Sequence, residues 1–200
     1  EPREEASIRD KIPALGQVVD TTSKNVMNQY EENPYPRWVY APVSKKPIPM
    51  TTFLRELSLD VPGAFKFNDT NPEILIAGCG TGQQSIATAS RILNCEVLAI
   101  DLSFASLSYA KRKSDELGVT NISYLQADIL DLAQLERKFD LIECVGVLHH
   151  MENPMDGWRI LTERLNSDGI MKIGLYSAAA RCNLPMLGSS GEESKAVCIE

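Results

Sequence analysis

Three glycines stand at alternate positions in Ala77-Gly78-Cys79-Gly80-Thr81-Gly82-Gln83, between the apolar run Ile74-Leu75-Ile76-Ala77 and a helical pattern. A loop of that kind at a strand-to-helix turn lets the backbone approach a ligand with no side chain in the way. It equally suits a tight turn that binds nothing, so the glycines alone decide little. The next apolar run, Val97-Leu98-Ala99-Ile100, ends at Asp101, nineteen residues beyond Gly82. That is close to where an acidic residue accepts hydrogen bonds from a ribose diol. Asp101 can also cap a helix beginning near Ser103. Loop and acid together point to a nucleoside-bearing ligand much more strongly than either does singly.

Two further strand ends carry polar chemistry. After Ile122-Ser123-Tyr124-Leu125 comes Ala127-Asp128-Ile129. A carboxylate there can accept from the exocyclic amine of adenine, with Ile129 or Leu102 packed on the ring, or it can cap the short helix that follows. The run Phe139-Asp140-Leu141-Ile142-Glu143-Cys144 leads into Val145-Gly146-Val147-Leu148-His149-His150. Cys144 and the histidines should therefore border the reacting end of the ligand. His149 and His150, with unperturbed pKa values of about 6.5, are the candidate general bases. Packing against the ligand or substrate and structural hydrogen bonding are the alternatives. A metal held by the pair is not expected, because neighbours on an extended chain point to opposite sides.

The elements that position these residues follow from periodicity. Between Pro72 and about residue 176, short apolar runs alternate with amphipathic stretches, the pattern of a parallel sheet with crossover helices. The fifth run is Ile170-Met171-Lys172-Ile173-Gly174-Leu175. Helices are predicted over Gln83–Leu93, Phe104–Leu117, a short one near Leu132–Arg137, and Pro154–Leu165. The fold class is α/β, a Rossmann-like doubly wound, mainly parallel sheet, in which ligands bind beyond the carboxyl ends of the strands. Residues 1–70 read as a helical prefix and candidate substrate lid, with helices at Thr22–Glu32 and Thr51–Leu59. Asn33-Pro34 ends the first, since a residue before proline is pushed out of the helical region, and Pro62-Gly63 closes the second. Tyr35, Arg37, Trp38 and Tyr40 suit a lid, with Arg37 on an anionic acceptor, or a staple joining prefix to domain. Residues 177–200 read as an irregular or truncated tail.

With these motifs in order, residues 72–176 resemble the class I S-adenosylmethionine-dependent methyltransferases. The resemblance rests on Ile74 to Gly82, Asp101, Ala127-Asp128, and Phe139-Asp140-Leu141-Ile142 leading to Leu148-His149-His150. It implies S-adenosylmethionine as cofactor, with the methionine portion held at the loop by Gly78, Cys79, Gly80, Gly82 and Gln83. It further implies the ribose on Asp101 beside Leu102, the adenine on Asp128 beside Ile129, and Cys144 near the methionine. The dinucleotide fingerprint would put its third glycine at position 83, which is Gln; S-adenosylmethionine has no pyrophosphate to cradle. The family's sheet usually ends in an antiparallel hairpin for which this sequence offers no clear segment. Tyr30 to Trp38 also resembles segments that precede such domains in bacterial methyltransferases carrying upstream tetratricopeptide repeats, which implies a repeat domain in a longer chain.

Composition narrows the acceptor. A net charge of −7 argues against a broad electrostatic hold on nucleic acid, and Cys144-Val145-Gly146-Val147 stands where an amino-methylating nucleic-acid enzyme would carry an Asp/Asn-Pro-Pro-aromatic tetrad. The expected acceptor is a small molecule or a protein side chain, and a non-catalytic S-adenosylmethionine-binding module or inactive fragment is the alternative. Lys111-Arg112-Lys113 reads as a solvated helix face. Five cysteines without C-x-x-C spacing suit free thiols in a reducing compartment rather than a metal site. No run of about 18 apolar residues occurs, and a cytoplasmic protein without a membrane partner is expected.

Overall fold

The computed structural model describes residues 2–57 and 68–175. The predicted helix end at Leu59, its closure by Pro62-Gly63, the tail 177–200, and Cys182 and Cys198 lie outside them. The apolar runs become strands because residues such as Ile74, Leu75, Ile76 and Leu141 are covered on whichever face they point to, each at most 1% exposed. Strands buried on both faces need helices on both, and the alternating stretches supply them. The chain forms α1 (Pro2–Arg9), β1 (Ala14–Leu15), α2 (Thr21–Glu32), α3 (Met50–Glu56), β2 (Glu73–Ala77), α4 (Gln83–Arg91) and β3 (Glu96–Asp101). It continues through α5 (Phe104–Glu116), β4 (Ile122–Ala127), β5 (Phe139–Val145), α6 (Pro154–Glu163) and β6 (Leu165–Gly174).

The sheet order is β1-β4-β3-β2-β5-β6, and every pairing is parallel. Strand order reverses at β2, which pairs with β3 on one side and β5 on the other. Ligands bind outside the carboxyl ends at such a switch point. One face of the sheet packs Ile76, Ala99 and Leu141 against Ile86 of α4, Leu107 of α5, and Trp38, Met50 and Leu54 of the prefix. The other packs Leu75, Ile100 and Ile142 against Leu132, Leu148 and Leu161.

Several expectations need correction. The short helix predicted near Leu132–Arg137 is a 3-10 turn at Ile129–Gln134, started early by the Asp128 cap, while Arg137 pairs with Glu73. β6 begins at Leu165 rather than Ile170, with its register shifted between Phe139 and Leu141; the polar stretch Asn166-Ser167-Asp168-Gly169 hides its first half. Arg112 is not on a solvated face: it is 4% exposed and bridges Glu5 and Glu116, pinning α1 to α5. Lys111 and Lys113 are partly exposed and paired with Asp115 and Glu116, with Lys113 also over the Trp38 and Tyr109 rings. α1 and β1 have no counterpart in the sequence reading. No helix of the described residues is long and apolar enough to cross a membrane.

Candidate cofactor and active site

β2 delivers the glycine loop to the switch point. Gly78 and Cys79 donate their backbone N–H groups to Ile100 O at 2.9 and 2.8 Å, which fastens the loop across β3. Gly78 has φ +75°, and a Cβ there would fall 2.2 Å from Val147 Cγ2, so glycine lets the segment after β5 close over the loop. Gly82, at φ +84°, answers to something else: a Cβ would lie 2.5 Å from Ala110 Cβ, so this glycine permits α4 to start tight against α5.

Asp101, the last residue of β3, accepts from Gly80 N at 2.8 Å on Oδ2 and from Ser103 N at 2.9 Å on Oδ1. The carboxylate thus sets the glycine loop from the neighbouring strand. The helix cap is Ser103, whose Oγ accepts from Ser106 N, so Asp101 does not fill that role. Burial pushes the Asp101 carboxyl up; the N–H donors of Ser103, Gly80 and Leu102 draw it back, and nearby Glu31 adds to the rise. Asp128, 5% exposed, directly follows β4 and caps the 3-10 turn through Oδ1, which accepts from Leu130 N at 3.0 Å.

These strand ends open on a cavity of about 340 Å³. Gly78, Cys79 and Gly80 line it from the loop, Gln83 from the start of α4, Asp101 and Leu102 from the end of β3 and just past it, and Asp128 and Ile129 from just beyond β4. His150 borders it as well. Gly82, Cys144 and His149 are not among its lining residues. Cys144 is buried in the core, because it sits inside β5 rather than beyond its end. The two histidines are not on an extended chain: Gly146, at φ +77°, turns the backbone after β5 into a 3-10 turn at Leu148–His150. Their ring centroids lie 4.2 Å apart. Among the described residues there is no group of three or more side chains able to hold a metal ion.

Sequence reasoning missed one wall of the cavity. Ser23, Val26 and Tyr30 line it from α2. Tyr35 and Pro36 continue that wall, and the segment they begin is tied to the glycine loop. Thr81 Oγ1 donates to Pro36 O, Trp38 Nε1 to Thr81 O at 3.0 Å, Gln83 Nε2 to Tyr40 O at 2.8 Å, and Tyr109 OH to Trp38 O at 2.6 Å. Trp38 is a staple, its ring edge-on to Tyr109. Arg37 is exposed, and among the described residues no Lys or Arg lines the cavity. The spacing of α2 gave a helix but no indication of what its face covers.

A parallel sheet with a nucleoside-sized cavity at its switch point defines a Rossmann-like binding domain. Residues 74–169 match the family described as "Methyltransferase domain", which agrees with the resemblance to the class I S-adenosylmethionine-dependent methyltransferases, whose cofactor is S-adenosylmethionine. An uncharacterized protein of Synechococcus sp. is 40% identical over 114 residues, covering 56% of this chain and 27% of that protein. The ubiquinone biosynthesis O-methyltransferase of Actinobacillus pleuropneumoniae is 33% identical over 104 residues, covering 50% of this chain and 43% of the relative. The chain therefore spans less than half the length of either. The crystal structure of the cyclase SpnF superposes with a TM-score of 0.55 at 18% identity, over 81% of this chain and 61% of that one, which places the fold.

Proposed function

We propose that this chain binds S-adenosylmethionine in the cavity at the β2 switch point and transfers its methyl group to a small molecule or a protein side chain. The observation that carries the reading is the convergence of Gly80, Asp101 and Asp128 on one cavity from three adjacent strands. In this reading the loop backbone holds the methionine portion, Asp101 the ribose diol and Asp128 the adenine amine. The cofactor, when bound, supplies an activated methyl on a sulfonium, so the protein has chiefly to align the acceptor and exclude water. Val26, Tyr30, Tyr35 and Met151 give that space apolar walls, and His150 is the histidine placed to take a proton from an acceptor that must lose one. The O-methyltransferase named among the relatives supports transfer rather than binding alone. Two carboxylates, Asp101 and Asp128, line the cavity, and among the described residues no Lys or Arg does; that favours a neutral or cationic acceptor over an anionic one and counts against the anion-binding role expected for Arg37.

Calorimetric titration with S-adenosylmethionine, S-adenosylhomocysteine and NAD tests the cofactor. Micromolar binding of the first two and none of NAD is expected; preference for NAD would overturn the reading. Transfer of labelled methyl to metabolite, peptide and nucleic-acid pools then tests the acceptor, with label expected in the first or second. Binding with no transfer to any pool would leave a cofactor-binding module in place of an enzyme.

A further inference from the structure

Glu31 stands at the wrong end of its own helix. An acidic residue in the last turn of α2 faces the negative end of the helix dipole, and α2 has no basic residue there. The carboxylate instead reaches the positive end of another helix. Its Oε1 accepts from Phe104 N, the first amide of α5, at 2.7 Å, while Oε2 takes Arg9 Nη1 of α1 at 3.0 Å. Three residues before Phe104 is Asp101, which holds Ser103 N and Gly80 N. An unbroken chain of carboxylate-to-amide bonds thus runs from the glycine loop through Asp101 and the start of α5 to Glu31. The next residue toward the start of α2 is Tyr30, on the cavity wall together with Val26 and Ser23.

We propose that Glu31 is a positioning residue for the cofactor site, fastening α2 as a wall of the cavity to the first N–H of α5 beside Asp101. The proposal rests on the cofactor reading above. Glu31 itself is not among the residues lining the cavity; it acts through the placement of α2. Burial raises the Asp101 carboxyl, and the nearby Glu31 charge adds to the rise.

Three variants test this: Glu31→Ala, Glu31→Gln, and Phe104→Pro. The last removes the N–H that Glu31 accepts from and leaves Glu31 in place. Proline is tolerated at the first helical position, and Ser103, at φ −92° and ψ 117°, already has the extended conformation that a residue before proline takes. S-adenosylhomocysteine affinity is measured by calorimetry well below each melting temperature, and amide exchange is followed over residues 21–32. Glu31→Ala and Phe104→Pro are expected to bind about tenfold more weakly, as for loss of one charge-assisted hydrogen bond, and to exchange faster in α2. Glu31→Gln, which keeps an acceptor oxygen, should recover most of the affinity. Folded Glu31→Ala and Phe104→Pro proteins that bind as tightly as the wild type would overturn the role of Glu31 and leave the cofactor reading standing. If Glu31→Ala does not fold, Phe104→Pro decides. A wild-type protein that fails to bind overturns the cofactor reading, and this proposal with it.

Discussion

Asp101 does two tasks with one carboxylate, setting the glycine loop through Gly80 N and, in the proposed function, meeting the ribose. Its raised pKa, caused first by burial, gives folding stability and ribose binding opposite pH dependences. The folded chain holds the Asp101 proton more tightly than the unfolded chain, whose value is about 3.9. Stability from this group is therefore greatest at acidic pH and declines as pH rises through the window between the two values. Ribose binding needs the ionised form, so affinity should rise with pH through the raised folded value. Asp101→Ala is expected to lose both trends and to weaken cofactor binding at least about tenfold at neutral pH, since about 1.4 kcal/mol is a factor of ten. Paired thermal melts and calorimetry across pH 4 to 8 measure this; a variant that still binds as the wild type does would remove the ribose role.

At the scale of elements, the segment after α2 matters as much as the sheet. Residues 35–41 carry no helix or strand, yet Trp38 is 8% exposed and its indole N–H satisfies the buried Thr81 carbonyl. Trp38→Phe keeps an aromatic ring and deletes that donor. Leaving a buried carbonyl unpaired costs about 1–3 kcal/mol, and each kcal/mol lowers the melting temperature by about 2–4 °C for a chain of this size. Cofactor affinity should fall as well, because Thr81 adjoins Gly80 in the loop. An unchanged melting temperature would mean that this hydrogen bond does not hold the segment.

For the whole molecule, the sequence was most legible where burial imposed a pattern. β2, β3 and β5 appear as apolar runs because both faces of each are covered, and Asp101 and Asp128 stand out because a doubly wound sheet places its ligand site at strand ends. Reading failed where a residue's meaning lies in a partner distant in sequence. Glu31 looks like one of two exposed acids until Phe104 is beside it, and Arg112 looks like one of three solvated cations until Glu5 arrives from α1. Gly82 belonged to the glycine motif by spacing but serves Ala110 in space. β1, only two residues long, has no period to detect and joins the sheet by pairing with Gln126 and Ala127.

The sheet separates two apolar layers, and each holds a protonated thiol. Cys95 lies in the layer under α4 and α5 and Cys144 in the one facing α6; burial pushes them up to about 11 and about 12. Cys79, whose thiol burial also raises, borders the cavity. Alkylation requires an exposed thiolate, so none of the three should label until its surroundings open. Site-resolved mass spectrometry after iodoacetamide pulses would then time three openings in one sample, one for each layer and one for the ligand site. Cofactor is expected to slow Cys79 most strongly; equal slowing at all three would mean that the protein opens only as a unit.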